Sequence, residues 1–160
     1  MIHDVIVIGG SYAGMAASLQ LLRARRSVLV IDAGQRRNRT AARSHGFLGH
    51  DGVDPAVIAR KARTELETEG EATAATGARD GFVVTSADGE PHHGRRILFA
   101  TGVTDQLPRI AGLAERWGRS VFHCPYCHGY ELDKSAIGVI ASGPASVHQA
   151  ELLTEWGTIT

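Results

Sequence analysis

Val5-Ile6-Val7-Ile8-Gly9-Gly10-Ser11-Tyr12-Ala13-Gly14 is the stretch that decides the fold. Four consecutive β-branched residues with no polar face suit a strand buried on both sides, as in a parallel sheet. The glycine-rich turn leads into a helical pattern with Met15, Leu19 and Leu22 on one face. Ser27 to Ile31 reads as a second buried strand ending at Asp32. Strand, glycine turn, helix, strand and an acid about 20 positions on make the dinucleotide fingerprint. Gly9 permits the tight turn, Gly14 lets helix and strand approach, and the helix N-terminus offers free N–H groups to a pyrophosphate. Asp32 can accept hydrogen bonds from a ribose. Ser11 stands where the fingerprint has its middle glycine.

Beyond this unit, Asp54 and Pro55 are an N-cap and first helical residue for a helix with Ile58, Ala62 and Leu66 on one face, ending near Gly70. Gly81–Thr85 and Arg95–Ala100 are expected strands of a small hairpin joined through Ala87-Asp88-Gly89, with His92 and His93 in the exposed connection. Ala100-Thr101-Gly102 would let backbone come close to a cofactor. Pro108–Trp117 is the expected domain boundary, placing one domain over 1–115 and the start of a second over 116–160. There, Ile137–Ala141 reads as a short buried strand. Ala141-Ser142-Gly143-Pro144-Ala145-Ser146 echoes the first glycine turn, and Val147, Ala150, Leu153 and Trp156 follow at helical spacing. The fold class is α/β.

The chain balances 17 basic against 17 acidic residues, so no strong field draws nucleic acid or an acidic membrane. Arg36-Arg37-Asn38-Arg39 reads as a solvated loop, with a phosphate contact as the sharper alternative. No segment approaches the roughly 18 apolar residues of a membrane span. The N-terminus lacks the basic start and cleavage site of a signal peptide, and a cytoplasmic protein is expected.

Both cysteines lie in Cys124-Pro125-Tyr126-Cys127-His128-Gly129. The motif formally matches a c-type haem attachment site, whose chemistry usually belongs to exported proteins. Structural zinc needs four ligands, and His123 and His128, adjacent to the cysteines, are poorly placed to complete the set, so no metal site is assigned. A redox disulfide beside a dinucleotide uses every feature of the chain. Cys-x-x-Cys geometry can bring one thiol into the physiological range, and His128 could carry the proton.

With these residues quoted, the chain resembles the thioredoxin-reductase-like flavoproteins, the low-molecular-weight branch of the pyridine nucleotide–disulfide oxidoreductases. The matching stretches are Val7–Gly14, Ile31-Asp32-Ala33-Gly34, Ser44-His45-Gly46-Phe47-Leu48-Gly49, Ala100–Asp105 and His123–Glu131. The resemblance implies a Rossmann-like FAD-binding domain followed by the start of an NAD(P)-binding-like one. FAD would be held by Gly9, Gly10, Ser11, Tyr12, Ala13, Gly14, Asp32, Ala33 and Gly34, with His45 and Gly46 near the flavin ring and Ala100, Thr101 and Gly102 against it. Cys127 would face the flavin and Cys124 would meet a dithiol or disulfide substrate, either a small molecule or a thioredoxin-like protein. Members are usually homodimers.

Thioredoxin reductases proper carry an aspartate where His128 stands. A histidine there is more similar to the dithiol-oxidase subgroup, which closes disulfides in small metabolites and passes electrons to oxygen. Ala141 at the place of the second turn's first glycine likewise makes NADPH doubtful. Members also continue past this length, return to the flavin with a Gly-Asp contact that this sequence lacks, and place an adenine-flanking strand that Glu69–Thr73 lacks by pattern. The alternative to an FAD-dependent thiol–disulfide oxidoreductase is therefore a truncated, non-catalytic remnant that binds flavin weakly or not at all.

Overall fold

The computed structural model describes residues 1–64, 66 and 68–160. These divide into two compact units, the first made of Met1–Arg39 and Ala56–Asp105, the second of Thr40–Pro55 and Gln106–Thr160.

The first unit is built on β1 (Ile2–Ile8), α1 (Tyr12–Arg23) and β2 (Val28–Ile31), the expected βαβ start. Helix α2 (Pro55–Arg63) follows, then β3 (Thr68–Glu69), β4 (Ala72–Thr76), β5 (Phe82–Ser86) and β6 (Pro91–Phe99). The strands form one sheet in the order β3-β2-β1-β6-β5-β4. β3, β2, β1 and β6 run parallel, whereas β5 and β4 add on antiparallel, so the expected parallel sheet with a hairpin is present. Ile6, Leu29, Ile31 and Val84 form a buried cluster on one sheet face, with Ile8, Ala72 and Ile97 packed against it. Each such side chain contributes about 2 kcal/mol on burial, so this cluster outweighs the weak propensity of any strand in it. On β1 the alternation sends Val7 toward α1, where Gly14 lies against it.

Several expectations shift. The buried face of α1 runs through Gly14, Met15 and Ser18, and Leu22 is exposed. Ser18 fits because its hydroxyl donates to the Gly14 carbonyl at 2.8 Å. Helix α2 ends at Arg63 and leaves Leu66 beyond it; Glu65 and Glu67, within the helix expected toward Gly70, lie outside the described residues. The adenine-side strand expected to be missing is present as β3, parallel to β2 through Val30–Thr68 and Ile31–Glu69. Two residues are too few to show a period of two. β6 begins at Pro91, so His92 and His93 are strand residues, paired with Val84 and Val83. His92 also shares a 3.0 Å contact with the hydroxyl of buried Ser86. The arginine run is not simply solvated. It forms a 3₁₀ turn over Arg37–Thr40, in which Arg37 makes a two-pronged ion pair with Asp105 and Asn38 donates to the Tyr12 hydroxyl at 3.1 Å.

The second unit holds α3 (Leu113–Arg116), α4 (Pro125–His128), β7 (Ala136–Ile137), α5 (Ala145–Leu153) and β8 (Thr158–Ile159). β7 and β8 pair in parallel across α5, a miniature βαβ unit. The strand expected over Ile137–Ala141 is only Ala136–Ile137, and Val147 on α5 is exposed. Thr40–Pro55 joins this unit as a loop closed by the Ser44–Val53 bridge. Among the described residues, no helix is long and apolar enough to cross a membrane.

Candidate active site

In the first unit, the chain turns back on either side of β1: β2 and β3 lie to one side, β6 to the other. In open α/β sheets a ligand crevice lies at such a switch point, outside the carboxyl ends of the strands. Gly9 follows β1, Asp32 follows β2 and Ala100 follows β6, so three of the expected residues converge there. The Ala100 N–H donates to the Ile8 carbonyl at 2.7 Å, and Gly9 donates to Ile31 at 2.8 Å.

The turn is packed to backbone contact. Gly9 has φ +105°, and a Cβ on it would lie 2.3 Å from the Ala100 carbonyl oxygen. A Cβ on Gly10 would meet Asp32 at 2.8 Å, and one on Gly14 would sit 1.8 Å from the Gly9 oxygen. Ser11 occupies the N-cap of α1 without a side-chain capping bond, and the first turn carries no acidic residue. That end of the helix therefore suits an anion such as a pyrophosphate. Ala33 and Gly34 are exposed after Asp32, as are Thr101 and Gly102 after Ala100.

Asp32 carries a partner that local sequence reading misses: Arg63, at the end of α2, ion-pairs with its Oδ2. A ribose would share this carboxylate with the guanidinium. No local pattern marks Arg63, because only the return of α2 to the sheet brings it there.

In the second unit, Cys124 precedes the single turn α4 in extended conformation and Pro125 fixes its first position. A three-residue offset on one turn brings both sulfurs together. Neither cysteine is in a disulfide, and Cys127 Sγ donates to Cys124 Sγ at 2.9 Å. Tyr126 between them is exposed.

His128 closes the turn with its ring stacked on Phe122, centroids 4.2 Å apart and planes 12° from parallel. Both ring nitrogens are buried without a hydrogen-bond partner. Its pKa lies below the ordinary histidine value, first because burial disfavours the cation and then because His45 and His123 repel it; Glu131 opposes them. His45 lies edge-on to His128, centroids 6.5 Å apart. Its Nδ1 is 3.1 Å from Glu131 Oε1 and 3.6 Å from Asp51 Oδ1. Neither approach is aligned as a hydrogen bond, so the two carboxylates flank the ring at contact distance without capturing its Nδ1. The Gly46 N–H in turn fixes Asp51 at 2.9 Å. Of the site residues expected from sequence, His45, Gly46, Cys124, Cys127 and His128 belong to this unit, and the others to the first. Glu131, Asp51 and Phe122 had no expected role.

Among the described residues, no three His, Cys, Asp or Glu side chains are grouped to hold a metal ion. At the second glycine turn, the hydroxyl of Ser146 accepts from the N–H groups of Ser142 at 3.0 Å and Gly143 at 3.3 Å.

A glycine turn at the switch point of a mostly parallel sheet, on one chain with a Cys-x-x-Cys dithiol, defines an α/β protein of the disulfide-oxidoreductase class. Residues 3–159 match the family model described as pyridine nucleotide-disulphide oxidoreductase, and the chain belongs to that family of oxidoreductases. It is 36% identical to thioredoxin reductase tcpT of Claviceps purpurea, over 89% of this chain and 48% of that protein. The crystal structure of an oxidoreductase from Agrobacterium tumefaciens superposes with TM-score 0.93 at 52% identity, covering 99% of this chain and 56% of that one. That of HlmI superposes with TM-score 0.88 at 37% identity, covering 98% and 53%. The chain thus spans about half the length of the relatives it matches.

Proposed function

We propose that the chain is the FAD-holding and dithiol-bearing part of a flavin-dependent thiol–disulfide oxidoreductase that works in the direction of dithiol oxidation. The observation that carries this reading is the Cys124–Cys127 dithiol, sulfurs 2.9 Å apart, followed directly by a half-buried histidine whose two ring nitrogens are both buried and unpartnered. Gly9–Gly14, Asp32 and Ala100–Gly102 are the residues that would hold the dinucleotide. Bound FAD would supply the two-electron acceptor that returns the dithiol to a disulfide.

The chain's own residues account for the rest. With the pair oxidised, a substrate thiolate attacks Cys124 Sγ, the Cys124–Cys127 bond breaks, and the Cys127 thiolate leaves. The second substrate thiolate then attacks the substrate sulfur of the mixed disulfide and releases Cys124. The substrate loses two electrons and two protons, and both cysteines end as thiols. His128, with a depressed pKa, is neutral near pH 7 and can take a proton from an attacking thiol and return it to a departing thiolate. The substrate is a dithiol on a small molecule or a thioredoxin-like protein. Use of the Ser142 and Gly143 N–H groups by Ser146 weighs against a pyrophosphate at that turn and so against NADPH as the electron partner.

The test is the visible spectrum of the purified chain with FAD and then a dithiol, alongside Cys124→Ser. The variant should keep flavin binding and lose dithiol turnover. Undiminished turnover in it, or no retained flavin at excess FAD in either protein, would overturn the reading.

A further inference from the structure

His45 lies in the Ser44–Val53 loop and Glu131 in the 3₁₀ turn Tyr130–Leu132. They meet at 3.1 Å beside His128, and no motif brings the two together. The His45 side chain is 14% exposed, the Glu131 side chain 39%. The groups facing His128 are the His45 edge, the Phe122 ring, Glu131 and His123, while Asp51 reaches it only through His45. A half-buried imidazole whose ring nitrogens lack hydrogen-bond partners takes its orientation from such packing and charge.

We propose that Glu131 and His45 form a positioning pair for His128, holding it as the proton acceptor of the Cys124–Cys127 dithiol. The carboxylate lies against the His45 ring at 3.1 Å, and that ring with the Phe122 stack fixes His128. The two partners act on His128 with opposite sign: Glu131 favours its cation and His45 disfavours it. This rests on the oxidoreductase reading for its meaning but not for its test, which needs no flavin.

The probe is 5,5′-dithiobis(2-nitrobenzoate) reacting with the reduced, flavin-free chain. One cysteine thiol gives its proton to His128 and its thiolate cleaves the reagent, forming a mixed disulfide and releasing one coloured thiolate. The second thiol, deprotonated in turn, closes the Cys124–Cys127 disulfide and releases another. The reagent gains the two electrons that the pair loses. The coloured product leaves without a proton, so the acid limb of the rate reports how readily the attacking thiol gives up its own to His128. In parallel, the His128 ring is titrated by NMR.

Glu131→Gln should move the His128 titration and the acid limb to lower pH, and His45→Asn should move both to higher pH. His128→Asn should move the limb up to the unassisted ionisation of a thiol and slow exchange by about 10²-fold at neutral pH. A merely structural role would slow exchange at every pH without moving the limb. Shifts in the same direction for both variants, or none in either, would overturn the proposal. Absence of flavin binding would instead sink the oxidoreductase reading and leave this result standing.

Discussion

Gly14→Ala tests the packing on which the proposed nucleotide binding depends. The added Cβ would lie 1.8 Å from the Gly9 carbonyl oxygen, where ordinary contact begins at 3.4 Å. Helix and turn must therefore part by about 1.5 Å, and the obstacle is backbone rather than the end of a flexible side chain. Overpacking typically costs 1–3 kcal/mol, and a backbone clash belongs at the upper end, about 3 kcal/mol. In a protein of this size that lowers Tm by about 6–12 °C, followed by far-UV circular dichroism. Gly34→Ala is the control: φ is +74° there, but nothing lies within 4 Å. It bears only the left-handed backbone cost, about 1 kcal/mol or 2–4 °C. The same displacement moves the N–H groups of α1, so FAD affinity should fall on the order of 10-fold in Gly14→Ala. A Gly14→Ala melt within 2 °C of the parent, or one milder than Gly34→Ala, would refute the reasoning.

Arg63→Gln should separate stability from ligand binding. Losing a partly exposed ion pair costs about 1 kcal/mol, read as a Tm drop of about 2–4 °C, while FAD affinity rises because Asp32 is no longer shared. A fall in affinity would mean that Arg63 itself holds the nucleotide. Stability should also fall in mild acid. His128 and His3 both have folded pKa values below the ordinary 6.5, His3 through burial, then the N-terminal amine and His92. The unfolded chain binds more protons in that window, so stability is full above about pH 6.5 and is lost as pH falls toward the folded values. Tm measured from pH 8 to pH 5 should show this loss, and His128→Asn should flatten it; an unchanged slope would contradict the assignment.

The first βαβ unit was legible because its signals are local: a β-branched run, a glycine turn and an acid after the second strand. The hairpin turn at Ala87-Asp88-Gly89 was legible for the same reason. β3 was not, since two residues beside β2 carry no periodicity, and their pairing depends on what the sheet already holds. The first half of β6 was hidden by Pro91 and two histidines, which read as a loop until β1 and β5 flank them. At the site, the cysteine pair and His128 were visible as a motif. The charges near His128 were not: Glu131 meets His45 only through a contact between segments far apart in sequence, and Asp51 meets it within the Ser44–Val53 loop without any motif. In the first unit, Arg63 meets Asp32 only through the return of α2.

The interleaving of the two units fixes the order in which the chain matures. Thr40–Pro55 leaves the ribosome early, but its partners in Gln106–Thr160 emerge only after all of residues 56–105. The Ser44–Val53 loop can close on itself at once. His45 must wait for Glu131, and the first unit has all its strands before that point. During synthesis the first unit has all its strands while the second is still an open loop. His128 therefore acquires its charged neighbours last.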